Sequence, residues 1–283
     1  MMLLPRNAIR CPSILNRRGF LFFTTTATKS TCVLRTDMCE IPEQGKKNPK
    51  GEDVCFVTER SAAVLDGVGA WYRHGVDPRL YPEDLAERLR ERIEDVERNC
   101  KDADLATLMQ DSWSSTAEPA GSCTLACFHL CTDGETLLAA NIGDSGILVI
   151  RETGEIAMES VVQESCFNMP YQLGPKSRQK PSDADLFRCL VVPGDTIVLA
   201  TDGLFSNLTP EEISQFVIEH AHLSDGLASA LADRAYSYAR DTRRVSPYAR
   251  RAWDEGFDEV YGGKMDDITV VVAHCEEIDA TKV

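Results

Sequence analysis

The chain of 283 residues is 43% hydrophobic and 27% charged, an ordinary globular composition that excludes a disordered or fibrous protein. Its 30 Lys and Arg against 45 Asp and Glu give a formal charge of -15, which repels nucleic acid phosphates and argues against DNA or RNA as a partner. No run approaches the roughly 20 apolar residues that span a bilayer, so no transmembrane segment is expected; the length suits one catalytic domain, expected as a monomer.

The charge is uneven. Residues 1–36 contain no acid but carry Arg6, Arg10, Arg17, Arg18, Lys29 and Arg35, leaving 24 bases to face all 45 acids in the remainder. An acid-free, Arg-rich, Ser/Thr-rich N-terminus has the composition that organelle import reads. Residues 1–37 are therefore expected to be a transit peptide, mitochondrial with chloroplast as the alternative, or else a disordered basic tail; the domain is expected over 38–283.

Residues 38–50 are polar and Lys-rich and read as a linker. Asp53-Val-Cys-Phe-Val-Thr58 and Ser61-Ala-Ala-Val-Leu65 are short apolar runs that predict two adjacent strands joined by a tight turn. Over 82–100, Leu85, Leu89, Ile93, Val96 and Cys100 recur at helical spacing, with Pro82 suited to the first turn. A second helix is expected over 104–114, burying Leu105, Leu108, Met109 and Trp113.

From 122 to 162 the pattern changes to strands, with hairpin turns at Asp133-Gly134 and Glu152-Thr-Gly-Glu155. Cys123, Cys127 and Cys131 fall on one strand face and read as small buried hydrophobes, since no CxxC spacing occurs. Residues 186–192, the turn Pro193-Gly-Asp195, and 196–201 predict another hairpin. Thr209-Pro-Glu-Glu212 is a capping box that opens a helix. A further helix is expected over 225–240, then a loop-rich stretch over 241–264 and a buried closing strand over 268–273. Strands in hairpins interrupted by pairs of helices imply an α+β domain, with two packed antiparallel sheets.

Four aspartates abut separate apolar runs: Asp53, Asp66, Asp202 and Asp266. One Asp-Gly after a strand reads as a plain turn. Four such placements from distant segments look like oxygen ligation, which suits hard Mg²⁺ or Mn²⁺ more than zinc.

The motifs Gly51-Glu-Asp53, Val64-Leu-Asp-Gly-Val-Gly-Ala-Trp71, Gly121-Ser-Cys-Thr124, Asn141-Ile-Gly-Asp-Ser-Gly146, Ala200-Thr-Asp-Gly-Leu-Phe205 and Gly263-Lys-Met-Asp-Asp-Ile-Thr-Val270 stand in that order. This set resembles the type 2C, metal-dependent serine/threonine protein phosphatases. Gly75-Val-Asp-Pro78, Phe167-Asn-Met-Pro-Tyr-Gln-Leu173 and Ser246-Pro-Tyr248 further resemble its small mitochondrial and plastid branch. The resemblance implies a four-layer α-β-β-α sandwich with two divalent ions, Mg²⁺ or Mn²⁺, between the sheets. It implies that Asp66 bridges both ions, that Gly67 lends a backbone carbonyl, and that Asp202 and Asp266 complete the second site. Glu52 and Asp53 would bind or orient metal-bound waters, and Asp144 with Asp202 would serve a third, weaker site.

The reaction so implied is hydrolysis of phosphoserine and phosphothreonine on phosphoprotein substrates by a metal-bridged hydroxide, with no covalent enzyme intermediate and no catalytic side-chain nucleophile. Two departures from the family pattern bear on it. Val68 stands where the family often carries histidine, and Asn48 stands where it carries a phosphate-binding arginine; Lys46, Lys47 or Lys50 could supply that charge, with Lys47 and Lys50 as the candidate phosphate binders. These departures motivate a second reading, a catalytically weak phosphatase-like binding module. A third is a hydrolase of small phosphate esters.

Overall fold

The structure, a computed structural model, describes residues 31–223 and 225–277. Strand β1 is Cys32–Ile41, β2 Asp53–Val57 and β3 Ser61–Asp66; a 3-10 turn at Gly69–His74 leads to helices α1 (Leu80–Arg98) and α2 (Leu105–Ser115). Then come β4 (Leu125–Leu130), β5 (Thr136–Ile142), β6 (Gly146–Ile150), β7 (Ile156–Glu159) and a small hairpin, β8 (Glu164–Cys166) with β9 (Met169–Pro170). Strands β10 (Asp185–Leu190) and β11 (Thr196–Ala200) precede the short α3 (Asp202–Phe205). Helices α4 (Pro210–Glu219), α5 (Leu227–Ala239) and α6 (Pro247–Asp254) and strand β12 (Ile268–Glu277) complete the domain.

The strands form two five-stranded antiparallel sheets, ordered β1-β12-β11-β6-β7 and β10-β5-β4-β3-β2. Their inner faces share a dry core in which Ala62, Val64, Phe128 and Ala139 meet Ile147, Val149, Leu199 and Val271. Helices α1 and α2 cover the second sheet through Leu85, Leu89, Ile93 and Met109. Helices α4 and α5 cover the first through Ile213, Phe216, Leu227 and Leu231. The result is the expected four-layer α-β-β-α sandwich. Buried apolar area on both faces of each sheet is what makes the strands read as nearly continuous apolar runs.

Local chemistry explains most element boundaries. The capping box is formed: Thr209 N donates to Glu212 Oε2 at 2.9 Å, and Glu212 N donates to Thr209 Oγ1 at 3.2 Å. Asp104 caps α2 by accepting from Thr107 N. Cys127 and Cys123 are fully buried among the helix-facing core residues, and Cys131 is 7% exposed, as their spacing predicts. Cys100 differs: it lies past the end of α1 with a positive φ of 49° and is exposed, because the last helical stripe residue is Val96.

Three sequence expectations need correction. The segment 32–41, read as tail and linker, is β1, which pairs along its length with β12 from Cys32 opposite Glu277 to Ile41 opposite Ile268, so the domain includes these residues. The turn Pro193-Gly-Asp195 is not a hairpin: β10 pairs with β5 in one sheet and β11 with β12 and β6 in the other. The chain crosses between sheets there, and Gly194, at φ 94°, donates its N–H to Cys275 O. The stretch 241–264 contains α6, capped where Ala249 N donates to Ser246 Oγ at 3.0 Å.

Candidate metal centre

The same kind of crossing builds the site. Residues 143–145 carry the chain from β5 in one sheet to β6 in the other, and this turn presents Asp144. Asp66 ends β3, Asp202 follows β11, and Asp266 precedes β12, so both sheets deliver carboxylates to one end of the sandwich. One oxygen each from Asp66, Asp144 and Asp202 lies within 4.8 Å of the others. With Glu52, Gly67 and Asp266 these residues line a cleft of about 300 Å³.

Side chains at the sheet ends lock the cleft. Thr124 accepts at Oγ1 from Asp66 N at 3.2 Å and shares a 2.8 Å hydrogen bond with Ser145 Oγ, tying Asp66 to the loop that carries Asp144. Thr201 Oγ1 donates to Asp53 Oδ2 at 2.7 Å and accepts from Thr269 N at 3.1 Å, which joins β2 of one sheet to the end of β12 in the other. Asp53 is held back on this bond, opposite Asp66 in the strand register. The glycines are steric requirements. A Cβ on Gly203 would sit 1.9 Å from Asp267 O, and one on Gly67 would sit 2.5 Å from Pro78 O.

Lysines meet this negative charge. Lys264 Nζ bonds Asp202 and lies 3.0 Å from Asp266 Oδ2. Lys46 Nζ lies 2.9 Å from Glu52, 3.1 Å from Asp266 and 2.8 Å from Asp267. Burial works against the charge on Lys46, but Asp266, Asp267 and Glu52 outweigh it and hold its pKa above the ordinary lysine value. Burial and then Asp53 and Asp202 raise the pKa of Asp66; burial and Asp202 push Asp144 up to about 8. Asp266 goes down, because Lys264 and Lys46 outweigh its burial.

The fit to divalent cations follows from the donors left over. Among the described residues, Asp144 Oδ1 and Asp202 Oδ1 are buried without a hydrogen-bond partner, beside a third carboxylate. Converging, desolvated, acceptor-only oxygens are hard-cation ligands, and the energetic cost of their repulsion falls when such a cation is present.

Lys47 and Lys50 are not brought to this cleft. Lys47 Nζ lies 5.0 Å from the centre of the Tyr72 ring, and Lys50 is exposed while its carbonyl accepts from Arg79. Lys46 takes the interior place instead. Asn48 turns to Asp77, donating at 3.0 Å. Sequence reasoning gave no role to Lys264 or Asp267. Asp267 is 3% exposed and accepts from Glu43 N, Glu52 N and Lys46, which fixes the Gly51-Glu-Asp loop against β12. A Cβ on Gly51, whose φ is 76°, would collide with it at 2.6 Å.

A family profile for protein phosphatase 2C matches residues 51–252. Probable protein phosphatase 2C 55 of Arabidopsis thaliana is 36% identical over 242 residues, covering 83% of this chain and 50% of that protein, so the chain spans half of that relative's length. The protein phosphatase PTC7 homolog of Danio rerio is 35% identical over 242 residues, covering 79% of this chain and 80% of that protein. The X-ray structure of the photosystem II phosphatase PBCP superposes with a TM-score of 0.78 at 32% identity, covering 85% of this chain and 98% of that one. With the motif order, the two-sheet sandwich and the carboxylate cleft, these likenesses establish that the chain belongs to the protein phosphatase 2C family.

Proposed function

We propose that this protein is a metal-dependent phosphatase of phosphoserine and phosphothreonine in proteins. The observation that carries the reading is the convergence of Asp66, Asp144 and Asp202 with unpartnered buried oxygens in one open cleft. Asp66, the Gly67 carbonyl, Asp202 and Asp266 would hold two ions, Mg²⁺ or Mn²⁺; Glu52 and Asp53 would orient water, and Asp144 would serve a third ion with Asp202. Bound there, such ions would supply Lewis acidity toward a phosphoryl group and toward water.

The chain's own residues do the rest. Thr124 and Thr201 keep the two sheets' carboxylates in register, and Asp267 fixes the loop bearing Glu52. Lys46 neutralises Glu52, Asp266 and Asp267, its three N–H donors committed to them. Val68 offers no proton, so protonation of the leaving alkoxide falls to water or another group, at a cost of up to about 10² to 10⁴ in rate against a positioned acid.

The test is turnover of phosphopeptides and of an aryl phosphate by the full chain with Mn²⁺ or Mg²⁺, beside Asp66→Asn and Asp202→Asn. Both variants are expected to lose about 10² or more in kcat. Metal-independent turnover, or variants as active as the parent, would refute the reading. Tight phosphopeptide binding without turnover would instead favour the binding module, and turnover of the aryl phosphate alone the small-ester hydrolase.

The acid-free, Arg-rich composition of residues 1–31 supports a mitochondrial leader, with a plastid as the alternative that the likeness to a photosystem II phosphatase favours. Those residues fused to a reporter should direct it to the organelle; a diffuse cytosolic signal counts against this. Among the described residues no helix is long and apolar enough to cross a membrane. The domain is proposed to be a monomer, which size-exclusion chromatography with light scattering would check.

A further inference from the structure

The carboxylate cleft does not end at its carboxylates. It shares Val68, Ala70, Asn168 and Pro170 with a second hollow of about 330 Å³, which is apolar and walled also by Trp71 and Met169. That hollow in turn shares Trp71, Met169, Pro170 and Gln172 with a third, of about 420 Å³, whose far side carries Lys176 and Arg178. One continuous groove therefore runs from metal ligands through an apolar recess to a cationic end.

The recess is held in shape before anything binds. Trp71 Nε1 donates to Ser122 Oγ at 2.7 Å, and Ser122, itself 1% exposed, donates to Gln172 Oε1 at 2.6 Å. This relay ties the indole through Ser122 to the segment bearing Gln172, so little ordering entropy is left to lose on binding. Facing the indole, Met169 is 56% exposed, an adaptable apolar side chain with no core to fill. Val68, whose lack of a proton weakens it as a catalytic group, supplies part of the apolar wall.

The cationic end is set against the charge of the whole chain. Residues 165–182 contain no acid, although the chain holds 45, and Lys176, Arg178 and Lys180 fall at alternate positions. Lys180 packs over the Trp113 ring at 5.9 Å, while neither Lys176 nor Arg178 has a carboxylate partner among the described residues. A body that is otherwise strongly acidic repels an acidic segment everywhere except along such a patch, which therefore sets the direction in which the segment lies.

We propose that this groove selects substrates by the residues next to the phosphorylated one: an extended segment whose apolar side chain packs between Trp71 and Met169 and whose carboxylates, farther along, meet Lys176 and Arg178. The occupant is an acidic phosphoprotein segment. The proposal rests on the phosphatase reading above, and goes beyond it by naming the class of sequence the site accepts.

The experiment compares kcat/KM of the full chain with Mn²⁺ on matched phosphothreonine peptides. These carry leucine or serine beside the phosphothreonine, followed by two glutamates, two glutamines or two lysines, on either side. On one side, glutamates should raise kcat/KM about three- to tenfold over glutamines, as two exposed ion pairs allow, and the gain should shrink in high salt. In the double variant Lys176→Glu with Arg178→Glu, the preference should reverse toward the lysine peptide, an outcome that a merely damaged protein would not give. In Met169→Ser, the leucine-over-serine ratio should fall toward one. Unchanged peptide ranking in both variants would overturn the groove while leaving the phosphatase reading intact. If the unmodified chain turns over neither peptides nor an aryl phosphate, the phosphatase reading fails. The groove is then judged by fluorescence anisotropy of the labelled glutamate peptide, where binding that ignores the charge reversal would overturn it as well.

Discussion

Lys264 meets the carboxylates of the cleft: its ammonium bonds Asp202 and Asp266, and these carboxylates together with Asp144 raise its pKa despite burial. Removing one partner of such a buried pair leaves uncompensated charge, about 3 kcal/mol or more. Lys264→Met should therefore lower the Tm measured without added metal by about 6 °C or more, while the Tm increase on adding Mn²⁺ becomes larger than in the parent. Equal shifts by differential scanning fluorimetry would contradict this account. At this scale the sequence was partly legible. Asp66 and Asp202 stand out because each ends an apolar strand before glycine. Asp266 and Asp267 do not separate, because neighbours in extended chain face opposite ways and nothing local says which way the cleft lies. Lys46, Lys47 and Lys50 are likewise equivalent in composition; only the path of the loop, pinned by Asp267 and Tyr72, turns Lys46 inward.

Elements carry two further expectations. Helix α3 starts at Asp202, and Gly203 touches the chain before β12 so closely that Gly203→Ala should cost about 3 kcal/mol or more, read by chemical denaturation. A cost below about 1 kcal/mol would mean that this contact relaxes freely. On β4, His129 is fully buried, sharing a 2.8 Å hydrogen bond at Nδ1 with Ser61, whose hydroxyl donates to Glu97 of α1. Its other ring nitrogen faces Arg60, and Asp102 lies beyond. Burial, then Arg60, pushes its pKa down to about 4, against weaker opposition from Glu97 and Asp102. The unfolded chain protonates this histidine near pH 6.5, before the folded one does. The contribution is thus whole above about pH 6.5 and is lost as pH falls toward 4. The His129 ring resonances should stay unshifted in NMR titration until near pH 4, and titration near 6.5 in the folded protein would refute this. Two elements escaped the sequence for related reasons. Helix α6 buries only Ala249 and Ala252, too small an apolar face to show as periodicity, and β1 mixes Arg35, Asp37 and Glu40 into an edge strand.

For the molecule as a whole, β1 decides where the domain can be cut. A chain beginning at residue 31 keeps all ten β1 residues, whereas one beginning at 42 strips the first sheet of its edge and uncovers β12. The longer form should melt with the full chain; the shorter should lose most of its cooperative transition, and an unchanged Tm for it would show that β1 is dispensable. The sandwich itself was readable because buried strands, hairpin turns and the capped helices each carry local signals that agree. The two sheet crossings were not, since a Pro-Gly-Asp turn looks the same whether its strands pair with each other or separate into different sheets. The pairing of β1 with β12 has another consequence. Cys32 lies opposite Glu277, so these two residues are neighbours about 5 Å apart, at the end of a ten-residue strand whose other end reaches the carboxylate cleft. Joining them with a short linker would allow circular permutation, with new ends opened in the exposed bend at residues 255–259. A label or fusion partner attached instead at the Cys32 and Glu277 end would sit roughly 30 Å from Asp266, the length of that strand.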